Sequence, residues 1–247
     1  MVRGHLREIF SSFQGEGLEV GYRQIFIRFA GCNLRCRYCD TPTCQEGAGP
    51  CRIQRCPDAM SSQTVTHPLS VDEVLSAVEA LDLSLHHSVS FTGGEPLLQL
   101  DFLQPLAAVL KERKVRILLE TNGTLPDQLQ LCQDRIDVIA MDWKLPSSTG
   151  QQDQAALHAR FFRQAMRQPL FVKMVITAGT VPAEVERACR WIAAVRPETA
   201  VVLQPVTGCG GLEPPDFQGL VEYHALAVRY LSEVRVIPQM HRLIDAP

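Results

Sequence analysis

Three cysteines stand at C-x3-C-x2-C in the run Gly31-Cys32-Asn33-Leu34-Arg35-Cys36-Arg37-Tyr38-Cys39-Asp40-Thr41. Three thiolates can hold three irons of a cubic four-iron cluster and leave the fourth iron without a protein ligand. Iron–sulfur clusters ordinarily take four cysteines, so an open corner is a binding position for an external molecule. The competing reading of the same thiols is a zinc knuckle. It needs a fourth Cys or His in register, and Cys44 is placed to supply one.

More reactive side chains follow in short clusters, each directly after an apolar run. These are Thr92-Gly93-Gly94-Glu95-Pro96, Glu120-Thr121-Asn122-Gly123, Asp142-Trp143-Lys144, Gln204-Pro205-Val206-Thr207 and Pro238-Gln239-Met240-His241. The apolar runs predict strands over 24–30, 88–91, 115–119, 137–141, 170–176, 200–203 and 234–237. Helical periodicity fills the intervals near 101–113, 154–168, 183–195 and 215–231. A further helix starts at Ser70, where Ser70-Val71-Asp72-Glu73 reads as a capping box. Strands alternating with helices argue for parallel βαβ units. In barrel-type α/β folds the loops at the C-terminal strand ends build the site. Six polar clusters in phase with the strands therefore converge on one active site in a single domain spanning 1–247.

A chain of 247 residues with 46% hydrophobic and 21% charged residues is an ordinary globular composition. A net charge of −3 gives no reason to expect nucleic acid as a partner. No apolar stretch approaches membrane-spanning length, and the start Met1-Val2-Arg3-Gly4-His5 carries no signal-peptide core, so a cytoplasmic enzyme away from membranes is expected. Nine cysteines in a reducing compartment point to metal or redox chemistry rather than disulfides.

The C-x3-C-x2-C segment, with Tyr38 before its last cysteine, closely resembles that of the radical S-adenosylmethionine (radical SAM) enzymes. Thr92-Gly93-Gly94-Glu95-Pro96 resembles the GGE motif of that superfamily. The run Glu8-Ile9-Phe10-Ser11-Ser12-Phe13-Gln14-Gly15-Glu16-Gly17 resembles the opening of the 7-carboxy-7-deazaguanine synthases, and the likeness continues to Pro247. It implies a partial (β/α)6 barrel, a [4Fe-4S] cluster on Cys32, Cys36 and Cys39, SAM on the open iron, and Mg²⁺ on Thr41. It also implies a carbon–nitrogen lyase that contracts 6-carboxy-5,6,7,8-tetrahydropterin to 7-carboxy-7-deazaguanine with release of ammonia, on the way to queuosine-type products. A flavodoxin- or ferredoxin-type reductant and a homodimer are implied as partners.

The same resemblance assigns Tyr38, Asp40, Gly94, Glu95, Asp142, Trp143, Lys144, Gln204, Pro205, Val206 and Thr207 to SAM. It assigns Phe13, Gln14, Gly15, Arg28, Thr92 and the terminal Pro247 to the pterin. The side-chain chemistry agrees at two of these positions. Gln14 offers an amide donor and acceptor beside a glycine, and the Arg28 guanidinium suits bidentate capture of a carboxylate. Lys173, inside an apolar run, is costly unless it is paired or faces a cavity, and it reads as a pocket residue.

The chain departs from the family in a Cys-rich insertion over 42–68 that holds Cys44, Cys51 and Cys56, with Cys209 further on. These read as plain thiols, as ligands of zinc or an auxiliary cluster, or as redox-labile pairs. A loop of that length is functional, mobile, or holds an element of its own. His67, His86, His87, His158 and His224 show no ligand spacing and read as surface or loop residues, and Cys132 and Cys189 as buried thiols. Two alternatives in function stay open. One is another radical SAM activity, such as an activase of glycyl-radical enzymes. The other is a zinc-binding interaction module.

Overall fold

The computed structural model describes residues 2–45, 49–66, 68–208 and 211–246. His67, Cys209 and Pro247 therefore lie outside the described residues. The chain opens with β1 (Arg3–Gly4), β2 (Leu6–Phe13) and β3 (Arg23–Phe29), then β4 (Cys51–Cys56), β5 (Ala59–Val65) and β6 (Leu69–Ser70). It continues through α1 (Val71–Ala80), β7 (Ser88–Gly93), α2 (Leu100–Glu112), β8 (Ile117–Thr121), α3 (Pro126–Cys132) and β9 (Val138–Asp142). Then come α4 (Pro146–Thr149), α5 (Ala155–Ala165), β10 (Leu170–Ile176), α6 (Pro182–Ala193), β11 (Val201–Pro205), α7 (Phe217–Ala227), β12 (Val234–Val236) and α8 (Met240–Leu243).

One ten-stranded sheet carries the site, in the order β12-β11-β10-β9-β8-β7-β3-β2-β4-β5. From β3 to β12 every neighbouring pair is parallel. Six strands, β3 and β7–β11, form the wall of the partial barrel, and the three-residue β12 extends it. The capping box at Ser70 is present: its side chain accepts from the Glu73 N–H, and Glu73 reaches back to the Ser70 N–H.

Strand periodicity separates the two faces. Ile25, Ile27, Phe29, Val89, Phe91, Ile117, Leu119, Ile139, Met141, Val172, Met174, Val201 and Leu203 point outward and share one core with the helices. Inward, the start of each strand is apolar on one side of the lumen. Leu118, Val138, Phe171 and Val202 pack there, with Leu18 inserted from the loop after β2 as a plug. Two residues further along the same strands the inward positions become Glu120, Ala140, Lys173 and Gln204, all lining one cavity. The lumen is thus dry at its base and polar toward the C-terminal strand ends, where the site must form.

The insertion over 42–68 holds structure of its own. Cys44 sits in a 3₁₀ turn over Pro42–Gln45, and its carbonyl accepts from the Gly31 N–H at 2.7 Å. β4 and β5 form an antiparallel hairpin that adds to the sheet beside β2. Cys44 and Cys51 are fully buried, and Cys51 belongs to the main core. Among the described residues, no group of three possible ligand atoms within 4.8 Å of one another contains Cys44, Cys51 or Cys56. Cys132 and Cys189 are buried as expected. His158 is not a surface residue: it is fully buried, and burial lowers its pKa to about 4.

Replacing Cys44, Cys51 and Cys56 together by alanine should leave iron and sulfide per chain unchanged after anaerobic purification. Each of the two buried thiols should cost about 1 kcal/mol of stability in a denaturant titration. A loss of iron with the fold intact would restore a metal role for them.

Candidate active site

The loop after β3 brings Cys32, Cys36 and Cys39 to one cavity of about 380 Å³, each partly exposed and outside any disulfide. Burial raises the pKa of the Cys32 and Cys36 thiols. Holding them as thiolates thus falls to a bound cation, the usual linkage between metal binding and proton release. The Leu34 N–H donates to Cys32 Sγ at 3.4 Å.

The Gly93-Gly94 turn shapes the opposite wall. Gly93 has φ +115°, and a Cβ there would stand 2.4 Å from the Phe29 carbonyl oxygen. A Cβ on Gly94 would stand 2.0 Å from the Gly31 carbonyl oxygen, and the Glu95 N–H donates to that same oxygen at 2.8 Å. Only glycine lets this turn lie directly on the cluster loop.

Glu95 itself is turned away from the cavity. Fully buried, it accepts from the Leu97 N–H at 3.1 Å, the Thr121 hydroxyl at 2.9 Å and the Asn122 N–H at 2.7 Å. Burial pushes its pKa up to about 7. The carboxylate caps the turn over Pro96–Gln99 and ties it to the end of β8. It does not line the cavity.

Four charges meet in the upper lumen. Lys173 pairs with Glu16 and lies 3.2 Å from Asp142, which takes Lys144 at 2.8 Å. Gln239 and Gln204 donate to the other Glu16 oxygen at 2.6 and 3.1 Å. Burial alone would raise the Glu16 carboxyl, but Lys173, Gln239 and His241 bring it down to about 2. Burial opposes the charge on Asp142 too, and the two lysines hold it below its ordinary range. Lys144 lies over the Tyr38 ring at 5.1 Å and keeps its proton because Asp142 outweighs burial.

On the other side of the lumen Arg28 is oriented by Glu8 at 2.8 Å and covers the Phe10 ring at 5.1 Å, itself stacked on Phe26. Glu120 faces the cavity and accepts from Gln14 Nε2 at 2.9 Å, the Ser90 hydroxyl at 2.7 Å and the Thr92 hydroxyl at 3.1 Å. Gly15 has no room for a side chain, since a Cβ would stand 2.1 Å from His241 Nδ1. Thr41 and Asp40 complete the rim, with Asp40 bonded to Gln239 at 3.2 Å and 3.8 Å from Arg242.

Of the residues expected from sequence, Cys32, Cys36, Cys39, Tyr38, Asp40, Thr41, Gly94, Asp142, Lys144, Gln204 and Val206 come together here, with Phe13, Gln14, Gly15, Arg28 and Thr92. Lys173 joins them. Trp143, Pro205 and Thr207 do not line the cavity. Strand alternation explains this, because neighbours of an inward residue point outward. Trp143 is buried against His158, with ring centroids 5.1 Å apart. Glu16, Glu120, Gln239 and His241 line the cavity without having been assigned a role. Their position just after a strand, or in the Gln-Gly-Glu-Gly run, was the available signal.

The donor set fits the implied cofactors. Three thiols face one cavity beside two glycines that permit close approach. Three buried polar atoms around it, Tyr38 Oη, Asp142 Oδ1 and Gln204 Oε1, lack a protein partner. Buried orphans of this kind call for a bound polar molecule. Glu16, Asp40 and His241 also bring ligand atoms within 4.8 Å of one another, and Thr41 adds a hydroxyl nearby.

The lowered Glu16 carboxyl stabilises the fold fully above pH 4.5, and that stability is lost as pH falls toward 2. Urea titrations of the metal-free protein across this window should show a steep acid limb, and Glu16→Gln should flatten it. An unchanged limb would mean that Glu16 is not the group paired with Lys173.

The family model for the radical SAM superfamily matches residues 26–195. The 7-carboxy-7-deazaguanine synthase of Geobacter sulfurreducens is 42% identical over 97% of this chain and 96% of its own length. That of Methanopyrus kandleri is 36% identical over 96% of this chain and 92% of its own. The crystal structure of QueE from Escherichia coli superposes with a TM-score of 0.64 at 21% identity, covering 97% of this chain and 95% of that one, a likeness of fold. The thiol triad, the glycine turn beside it and a likeness along the whole chain make this protein a radical SAM enzyme of the 7-carboxy-7-deazaguanine synthase family.

Proposed function

We propose that the cavity contracts 6-carboxy-5,6,7,8-tetrahydropterin to 7-carboxy-7-deazaguanine with release of ammonia, with its two sides sharing the work. One observation carries the division: Glu120 and Arg28, opposite in charge, face the same cavity from strands on either side of β7. A carboxylate is complementary to the paired N–H donors of a 2-aminopyrimidinone edge, and a guanidinium to a carboxylate substituent. Gln14 and Thr92 hold Glu120 in place, and Glu8 holds Arg28. The stacked Phe10 and Phe26 supply the apolar surface against which a bicyclic ring lies.

The other side suits the cofactors. Cys32, Cys36 and Cys39 would hold the cluster, Lys144 the SAM carboxylate, and the unpartnered Asp142 Oδ1 and Gln204 Oε1 its hydroxyl and amino donors. When bound, the cluster passes one electron to SAM, whose cleavage supplies the carbon radical that starts the rearrangement. Thr41 and Asp40 offer hard oxygens for Mg²⁺, which keeps most of its shell for water and substrate. Lys173 and Gln239 keep Glu16 ionised and fixed at the junction of the two sides. A cytoplasmic setting, a flavodoxin- or ferredoxin-type reductant, a homodimer and a place in queuosine-type biosynthesis belong to the same reading. Relatives of one name over nearly the whole chain give the activase alternative no support.

The reconstituted protein, incubated anaerobically with the pterin, SAM, Mg²⁺ and a reductant, should form the deazaguanine acid. A loaded protein that cleaves SAM but yields no product would overturn the substrate assignment. Glu120→Gln should raise KM for the pterin at least about tenfold, the weight of one lost charged hydrogen bond. SAM cleavage without substrate should stay as it was. An unchanged KM would remove Glu120 from substrate recognition.

A further inference from the structure

Asn122, on the turn after β8, is 5% exposed, and every polar group it has is engaged. Its N–H donates to Glu95 at 2.7 Å, and its carbonyl accepts from His158 Nε2 at 3.0 Å. Its side-chain oxygen accepts from the Thr124 N–H at 3.1 Å and the Thr124 hydroxyl at 2.6 Å. That leaves the amide nitrogen facing the cluster loop, where it donates to Asn33 Oδ1 at 2.8 Å and to Cys32 Sγ at 4.0 Å. Asn33 in turn donates to the Thr124 hydroxyl at 2.8 Å. With two donors on Oδ1, the flipped amide would set N–H against N–H and O–H, so the orientation is fixed by the network. Gly123, at φ +68°, keeps the turn close: a Cβ there would meet Met141 at 2.7 Å and His158 at 3.3 Å.

We infer that Asn122 is a positioning residue for electron uptake: its amide N–H is aimed at the Cys32 sulfur and favours the reduced cluster, while Glu95 acts through Asn122 and not on SAM. Reduction adds negative charge that spreads onto the ligating sulfurs. A fixed N–H dipole on one of them stabilises that charge and raises the potential. The inward-turned Glu95 carboxylate fits this role, because its oxygens are occupied by Leu97, Thr121 and Asn122. The inference rests on the reading of Cys32, Cys36 and Cys39 as cluster ligands.

The test is a redox titration of the reconstituted holoprotein followed by electron paramagnetic resonance. Asn122→Ala should shift the reduction equilibrium toward the oxidised cluster by about tenfold, or about 59 mV downward for one electron. Glu95→Ala should leave the dissociation constant for SAM unchanged. An Asn122→Ala protein with an unshifted potential, or a Glu95→Ala protein with weakened SAM binding, would overturn the inference. If a variant fails to load iron, unsubstituted protein labelled with ¹⁵N at asparagine side chains decides the matter. Its reduced cluster should show hyperfine coupling to an amide ¹⁵N, and absence of coupling would overturn the inference. A protein that gives no four-iron signal at all would instead remove the cluster reading on which this one is built.

Discussion

Two carboxylates and two ammonium groups share the upper lumen, and none of them is tolerable there alone. Removing one partner from such a buried set leaves an uncompensated charge, which costs far more than the pairs contribute. Glu16 comes from the loop after β2, Asp142 from the end of β9, Lys173 from the middle of β10 and Lys144 from just past β9. Satisfying them fixes how that loop seats against β9 and β10. Once Glu16 is held by Lys173, Gln204 and Gln239, the preceding Gln14 is carried to Glu120 and the following Leu18 to the apolar base. The charge set therefore positions the Glu120 side of the cavity as well as the side lined by the three cysteines. The four charges also sum to zero, so the set places no net charge in the lumen.

The alternation of the strands decided most of what could be read without coordinates. Outward residues such as Ile117, Leu119 and Ile139 are apolar and marked the strands clearly. Inward residues change character along each strand, and this is where boundaries slipped. β8 runs to Thr121 and β11 to Pro205, each two residues past the expected end, because Glu120 and Gln204 resemble loop residues. They are strand residues facing a polar lumen. The same rule explains why Gln204 and Val206 line the cavity while Pro205 and Thr207 do not.

Contacts between residues far apart in the chain were less legible. The glycine pair at 93–94 announced a close approach, yet the surface it approaches, the Gly31 carbonyl, lies over sixty positions away. Glu95 looked like a ligand-facing carboxylate because it follows those glycines. Its three donors come from Leu97, Thr121 and Asn122, two of them on a different strand end. β2 gives no clear strand signal, because its sequence Leu6–Phe13 mixes charged, apolar and hydroxyl residues without apolar–polar alternation. The hairpin of β4 and β5 was masked by the cysteines that drew attention to metal chemistry. Cys51 packs as a small apolar residue, with its thiol pushed up to about 12 by burial.

An open sheet needs something other than strand pairing to complete the wall of the site. The strand order has two ends, with β12 at one and the β2–β4–β5 extension leading to the other. The segment after β12 turns back across the loop after β2. The Met240 N–H donates to the Gly15 carbonyl at 2.9 Å, and Gln239 reaches Glu16 and Asp40. The absent side chain at Gly15 is what admits His241. These are few bonds between irregular segments, and each can open without breaking a ladder. The wall that β7 and β8 build is held by a continuous strand ladder, whereas the opposite closure is loop on loop.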